Sequence, residues 1–384
     1  FAQLSLRFLS WLTENGTSVS PKIELADLRH RNAGRGVIAK DDIEEDEELF
    51  SVPRSTILTS GTSDLPSDIR AASPDDPWLS LILAMIYEYQ HGAESRWKPY
   101  FDVLPTQFNT LMYWTDDELE LLQGSAVVSK IGKDKATETF RTTILPIIRQ
   151  YEANFACTHL SDGHLLDLCH RMGSSIMAYA FDLESSTNTT STRNEEDGWE
   201  EDSDTEDTLL PKGMVPLADM LNADADRNNA KLFYEDDNVV MKTIKPVRKG
   251  EELFNDYGPL PRADVLRRYG YITDNYAKYD VVEISLELVK SIASKELNIS
   301  PEKVNTRVDY LAEHDVVEDG FDIAGAASED EHFPPELTVL LNTLALPQAD
   351  FEILKKKDKL PRPDLSPGAS KLLHSVLLQR QARY

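Results

Sequence analysis

Gly250-Glu251-Glu252-Leu253-Phe254-Asn255-Asp256-Tyr257-Gly258 is the stretch on which the fold of this chain turns. It follows a short strand-like run, residues 239–244, and passes from the apolar pair Leu253-Phe254 into four residues of turn chemistry that carry a phenol. A tyrosine in a tight turn is usually there for packing, so this one alone decides nothing. Its opening is echoed far upstream in Asp46-Glu47-Glu48-Leu49-Phe50. Residues 22–58 carry the matching β signal. Val37-Ile38-Ala39 and Leu49-Phe50-Ser51-Val52 are strand-like, the acidic turn 41–48 joins them, and Pro53 closes the second. Two similar hairpins therefore flank the middle of the chain.

Two further stretches lie beside these hairpins. Ala33-Gly34-Arg35-Gly36 is too short for a dinucleotide fingerprint and precedes a strand rather than opening a helix, which argues against a Rossmann or P-loop site. Its glycines allow close backbone approach to a flat, adenosyl-like ligand, although an ordinary turn uses the same letters. Asp219-Met220-Leu221-Asn222 ends the apolar run Met214-Val215-Pro216-Leu217-Ala218. An Asp and an Asn there are costly to bury without hydrogen bonds, so each is a turn-maker or a ligand contact.

The 384 residues suffice for two or three subdomains, with 41% hydrophobic and 28% charged residues. The net charge is −27, and removing the nine carboxylates of residues 195–207 still leaves about −18. Such a surface repels nucleic acid and attracts Lys/Arg-rich proteins, though acidity also serves solubility alone. Two cysteines give no disulfide framework and suggest a reducing compartment. No stretch approaches 18 apolar residues, and the opening segment, with Leu4, Phe8, Trp11 and Leu12 in helical phase and Asn15-Gly16 as a stop, reads as an amphipathic helix rather than a signal peptide. The expectation is an intracellular soluble monomer of the nucleus or cytoplasm, with no membrane or direct nucleic-acid contact.

Between the hairpins the pattern is helical. Asp76-Pro77 offers an N-cap and an N1 proline, Thr115-Asp116-Asp117-Glu118 is a capping box, and residues 141–155 and 161–181 keep the helical period. Residues 185–208 are too polar to order themselves and are expected to form a mobile acidic loop, with Trp199 as a lone aromatic. Helices are again expected over residues 282–297, after Ser300-Pro301, from Pro335 and through Leu372 and Val376. Cys157, His159, His164, Cys169 and His170 have metal-ligand residue types but irregular spacing. Cys169 falls in phase with Leu165, Leu168, Met172 and Ile176, as a buried structural cysteine would.

Together, residues 33–39, 43–53, 216–222 and 250–258 resemble a SET-domain protein methyltransferase. The helical block between the halves and the helical C-terminus are similar to the Rubisco large-subunit methyltransferase-like class. Within it, Asp219-Met220-Leu221-Asn222-Ala223-Asp224 and Leu266-Arg267-Arg268-Tyr269-Gly270-Tyr271 most resemble the fungal ribosomal-protein lysine methyltransferases, their fourth group above all. The resemblance implies an α+β fold: a knot-like all-β SET domain interrupted by a helical insertion, followed by an α-helical C-terminal substrate-binding domain. The implied divisions are 1–60 (N-terminal helix and first half of the SET domain), 61–212 (insertion with the acidic loop), 213–275 (second half) and 276–384 (C-terminal domain). It also implies S-adenosylmethionine as cofactor, held by Ala33, Gly34, Arg35, Tyr179, Asn222 and Ala223. Phe181, Asp219, Tyr234 and Tyr269 line the lysine channel, and Tyr257 is the catalytic tyrosine.

The sequence departs from the class at two positions. Ala223 replaces the usual histidine, and Tyr179 stands where plant relatives carry arginine, which puts a charge contact to the cofactor carboxylate in question. The expected activity is lysine methylation of a basic protein, a ribosomal protein of the large subunit. The alternatives are a non-enzymatic acidic binding module for basic proteins and a histidine-directed methyltransferase on the same fold.

Overall fold

The computed structural model of the chain describes residues 1–31, 33–183, 210–325 and 333–384. The segment expected to form the acidic loop, Trp199 included, lies outside the described residues. The chain divides into two compact units: Phe1–Tyr113, Ile131–Leu260 and Asp264–Tyr276 make the first; Trp114–Lys130, Pro261–Ala263 and Ala277–Tyr384 make the second.

The first unit opens with α1, Ala2–Glu14, which buries Phe8, Trp11 and Leu12 on one face. Asn15 closes it through its own side chain, Nδ2 donating to the Trp11 carbonyl at 2.8 Å, and Gly16 turns the chain at φ +85°. The strands then form two sheets. β1 (Ser18–Val19), β4 (Glu48–Pro53), β9 (Asn238–Thr243) and β8 (Ala230–Tyr234) lie side by side in that order, all antiparallel. The second sheet has the order β2 (Ile23–Asp27), β3 (Arg35–Ala39), β10 (Glu252–Asn255) and β7 (Asn222–Ala223), with β10 and β7 parallel.

The echo between residues 46–50 and 250–254 has a physical basis. Asp46 and Gly250 both sit in left-handed backbone, at φ +62° and +85°. Asp46 N donates to Thr243 O and Gly250 N to Ala39 O, and the two turns pair with each other through Ile43 and Val247. The two hairpins expected from sequence do not form: each turn carries the chain from one sheet to the other, because β3 pairs with β10 while β4 pairs with β9. The antiparallel register Leu253↔Val37, carried two residues on, sets the end of β10 at Asn255 beside the start of β3 at Arg35. The glycine loop and the phenol turn therefore share one end of the second sheet.

Helices fill the middle of this unit. α2, Pro77–His91, starts where Asp76 accepts from Leu79 N, and it buries Leu81 through Ile86. α3, Asp162–Tyr179, is capped by Ser161 and buries Leu165, Cys169, Met172 and Ile176. It runs directly into β5, Ala180–Asp182, which pairs with β6, Lys212–Met214. α4, Arg262–Tyr269, follows the phenol turn.

The second unit corrects the sequence reading in one place. Residues 282–297 are not one helix: β11 (Val281–Ser285) pairs along its length with β12 (Gly320–Ala324), and α5 (Leu286–Glu296) begins only after Ser285, whose hydroxyl accepts from Leu288 N. The β-branched pair Val281-Val282 and Ile284 suit a strand, and tertiary pairing overrides the helical period. α6 (Pro301–Ala312), α7 (Pro335–Ala345), α8 (Gln348–Lys356) and α9 (Pro367–Gln381) pack around Val289, Leu311, Leu340 and Val376. Buried Arg307 closes the C-terminal end of α7, its Nη1 donating to the carbonyls of Thr343, Leu344 and Leu346.

Candidate active site

The glycine loop is built by its backbone. Leu28 N donates to Gly34 O at 2.7 Å and Ala33 N to Leu28 O at 3.2 Å, closing a short turn in which Gly34 takes φ +66°. The next glycine is needed for space. A Cβ on Gly36 would lie 2.5 Å from the Leu28 methyl, 3.0 Å from Asn222 Nδ2 and 3.0 Å from Glu252 Oε1, whereas nothing lies within 4 Å of one on Gly34. Arg35 is partly buried, with Nη1 donating to Val103 O at 3.0 Å and its guanidinium 4.6 Å from the centre of the Phe1 ring; burial pushes its pKa down.

Asn222 and Ala223 form the adjoining wall through β7. Asn222 Nδ2 donates to Glu252 Oε1 at 2.7 Å and, more weakly, to Arg35 O at 3.4 Å, which ties the loop, β7 and β10 together. Glu252 is buried, while Glu48, its counterpart in the upstream echo, is exposed. That contrast is invisible in the sequence.

Next to this wall lies a cleft lined by Trp78, Met177, Tyr179, Phe181, Asp182, Asp219, Leu221, Asn255, Tyr257, Arg268 and Tyr269, among others. The turn carrying Tyr257 is shaped by Asp256, whose Oδ1 accepts from Gly258 N at 3.0 Å, with Gly258 at φ +79°. The Tyr257 and Tyr269 rings stack with centroids 3.8 Å apart and planes 4° from parallel. Burial, then the surrounding Tyr271, Tyr269 and Tyr179, pushes the Tyr257 phenol well above its ordinary pKa, so it stays protonated at neutral pH.

Asp219 is the other unusual group. Leu217 precedes its turn at φ +79°, a strained backbone for a leucine. The Asp219 carboxyl is buried, Tyr100 Oη donates to its Oδ2, and its Oδ1 has no hydrogen-bond partner among the described residues. Burial raises its pKa to about 7, against the lowering effect of the Tyr100 hydrogen bond. Tyr179 rises to about 12 through burial and then through the nearby Asp219 carboxylate.

Of the residues singled out from sequence, Tyr257, Tyr179, Phe181, Asp219 and Tyr269 share this cleft, and Ala33, Gly34, Arg35, Asn222 and Ala223 gather at the adjacent sheet end. Tyr234 is not among the cleft's walls; its hydroxyl donates to Asp182 O at 2.6 Å. Sequence reasoning missed Trp78, Tyr100, Arg268 and Glu252. Glu252 lay inside the quoted motif, but Tyr100 is 119 residues from its partner Asp219 and carries no local signal. Cys157 and Cys169 are both buried, and burial pushes the Cys169 thiol to about 12. His170 Nε2 lies 2.8 Å from Thr137 Oγ1. Among the described residues no group of three or more His, Cys, Asp or Glu could hold a metal ion, and no helix is long and apolar enough to cross a membrane.

Comparison with known proteins finds the same fold. The SET domain family profile covers residues 34–258. Ribosomal lysine N-methyltransferase 4 of Saccharomyces cerevisiae is 36% identical over 81% of this chain, which spans 64% of that protein, just under two thirds. N-lysine methyltransferase SETD6 of Homo sapiens is 29% identical over 91% of this chain and 77% of its own length. Among solved structures, the SET domain of LSMT bound to lysine and AdoHcy aligns over 100% of this chain and 82% of that one, with a TM-score of 0.70 at 19% identity; Rubisco LSMT bound to AdoMet aligns over 98% and 76%, with a TM-score of 0.63 at 22% identity. With more than half of its length inside the family profile, the chain belongs to the SET-domain family.

Proposed function

We propose that this chain transfers a methyl group from S-adenosylmethionine to the ε-amine of a lysine in a basic protein, and that this protein belongs to the large ribosomal subunit. One juxtaposition supports the first part most. Tyr257 leaves β10 at the sheet end that also carries the glycine loop, and it shares a cleft with Asp219, Phe181 and Tyr269. The second part draws on the net charge of −27, which suits a cationic partner, and on the name of the yeast relative.

The residues present fit the cofactor. Gly34 faces open space where a side chain would otherwise stand, Gly36 packs tightly behind it, and Asn222 has its amide hydrogens committed to Glu252 and Arg35, leaving its oxygen to accept. Ala33, Gly34, Arg35, Asn222 and Ala223 would hold the group, with Tyr179 bordering it. When bound, S-adenosylmethionine supplies a methyl group already activated by its sulfonium.

The chain's own residues then prepare the amine. A lysine has an ordinary pKa of about 10.4 and arrives mostly protonated. Aromatic walls from Tyr257, Tyr269 and Phe181 desolvate it and disfavour the charged form, so its proton leaves to solvent water before the nitrogen takes the methyl group. The protonated Tyr257 phenol can accept from an amine N–H and turn the nitrogen lone pair toward the methyl donor. The rate would come chiefly from alignment and fixed dipoles.

Incubating the full chain with labelled S-adenosylmethionine and fractionated ribosomal subunits tests the proposal. Label on a lysine of a large-subunit protein, located by mass spectrometry, is the expected result. Label on histidine, or none on any basic protein, would refute it.

A further inference from the structure

A second cavity, of about 290 Å³ and open to solvent, lies in the helical block of the first unit. Its walls are apolar and include Ile82, Phe140, Ala136 and Gly173. It shares Trp78 and Met177 with the cleft that holds Tyr257, so the two spaces adjoin at these side chains. An engineered cavity of ~150 Å³ with similar walls binds benzene, so this one has room for a large aliphatic or aromatic side chain.

Gly173 gives an independent reason to regard the cavity as a site. It lies inside α3, where glycine is about 1 kcal/mol worse than alanine. No close packing demands it: a Cβ there would meet Ile82 and Phe140 only at an ordinary 3.6 Å. What the missing side chain gives is open volume. At the cavity's edge the His170 ring stands edge-on to Phe140 with centroids 5.0 Å apart, adding a second aromatic wall.

We infer that this cavity binds an apolar side chain of the protein substrate, close in sequence to the target lysine. The inference rests on the proposed lysine methylation, and continuity with the lysine cleft through Trp78 and Met177 is what selects a substrate side chain over a free small molecule. Because the two spaces adjoin, and an extended peptide advances ~3.3 Å per residue, the apolar residue lies within two or three positions of the lysine.

The test uses the full chain, labelled S-adenosylmethionine and a series of lysine peptides in which one leucine moves through the flanking positions of an otherwise alanine-rich sequence. Leucine at one position should raise kcat/KM by about tenfold or more over alanine, as expected for burying most of an aliphatic side chain. Gly173→Leu and, independently, Ala136→Leu fill the cavity, and each should bring that preference within about twofold of unity. Thermal melts identify a variant that has lost its fold, and the other then carries the comparison. Lysine methylation without a positional preference overturns the inference and leaves the activity standing. A preference that survives both fillings also overturns it, because the apolar contact then lies elsewhere. Absence of methylation on every peptide and on ribosomal subunits overturns the activity and the inference together.

Discussion

Asp219→Asn tests the electrostatics of the cleft most directly. The wild-type carboxyl is buried with its pKa pushed to about 7, against an ordinary 3.8. Below about pH 4 it is protonated whether the chain is folded or not and contributes no pH dependence. As the pH climbs toward 7 the unfolded chain ionises freely while the native carboxyl resists, so native stability falls over that window and levels off above it. About three pK units at 1.36 kcal/mol each make the full cost roughly 4 kcal/mol. Asparagine removes the charge and still accepts from Tyr100, but it leaves an amide N–H where Oδ1 has no partner, a penalty of about 1–3 kcal/mol. The variant should therefore be about 2 kcal/mol more stable than wild type at pH 8, or about 4–8 °C in Tm, and about as stable as wild type at pH 5. Urea denaturation followed by tryptophan fluorescence at several pH values measures the difference. A stability difference that stays flat between pH 5 and 8 would mean that Asp219 is not held near pKa 7 and would refute the reasoning.

Three further outcomes follow from the same structure. Tyr257→Phe should abolish methyl transfer while leaving S-adenosylmethionine affinity by calorimetry within a few-fold, because the ring and its stack on Tyr269 remain; near-normal turnover would remove Tyr257 from the proposed site. Gly36→Ala should weaken cofactor binding by about tenfold with only a small loss of stability, since the new methyl displaces the Leu28 side chain and crowds Asn222 and Glu252; unchanged binding would show that the wall is not set by this packing. Arg307→Leu should destabilise the second unit by about 3 kcal/mol in calorimetry, because three carbonyls at the end of α7 lose their donor; a change under about 0.5 kcal/mol would mean that water replaces the guanidinium.

Much of the local structure was legible from residue order. The caps at Asp76, Thr115 and Ser300 form as their sequences suggest, because capping is chemistry between neighbours. The strands and the helical block followed from periodicity, but the pairing did not: the strands read as hairpin partners lie in different sheets. The strand at Val281–Ser285 did not, since its partner lies 39 residues further along and pairing, not propensity, decides it. The site was legible only in its pieces.

What the residues alone determined is the turn at Asn255-Asp256-Tyr257-Gly258, the glycine loop at 34–36 and the acidic surface, each set by short-range sterics or by composition. Tertiary structure alone decided that Tyr100 would meet Asp219, that Glu252 would be buried while Glu48 stays exposed, that Tyr234 would bond the Asp182 carbonyl, and that Gly173 would open a cavity next to the cleft. The physical reason is the crossing of the two sheets. Turns at 41–46 and 245–250 exchange strands between them, so burial and charge at any one residue depend on a segment about 200 positions away, a distance over which no pattern in a single sequence carries information.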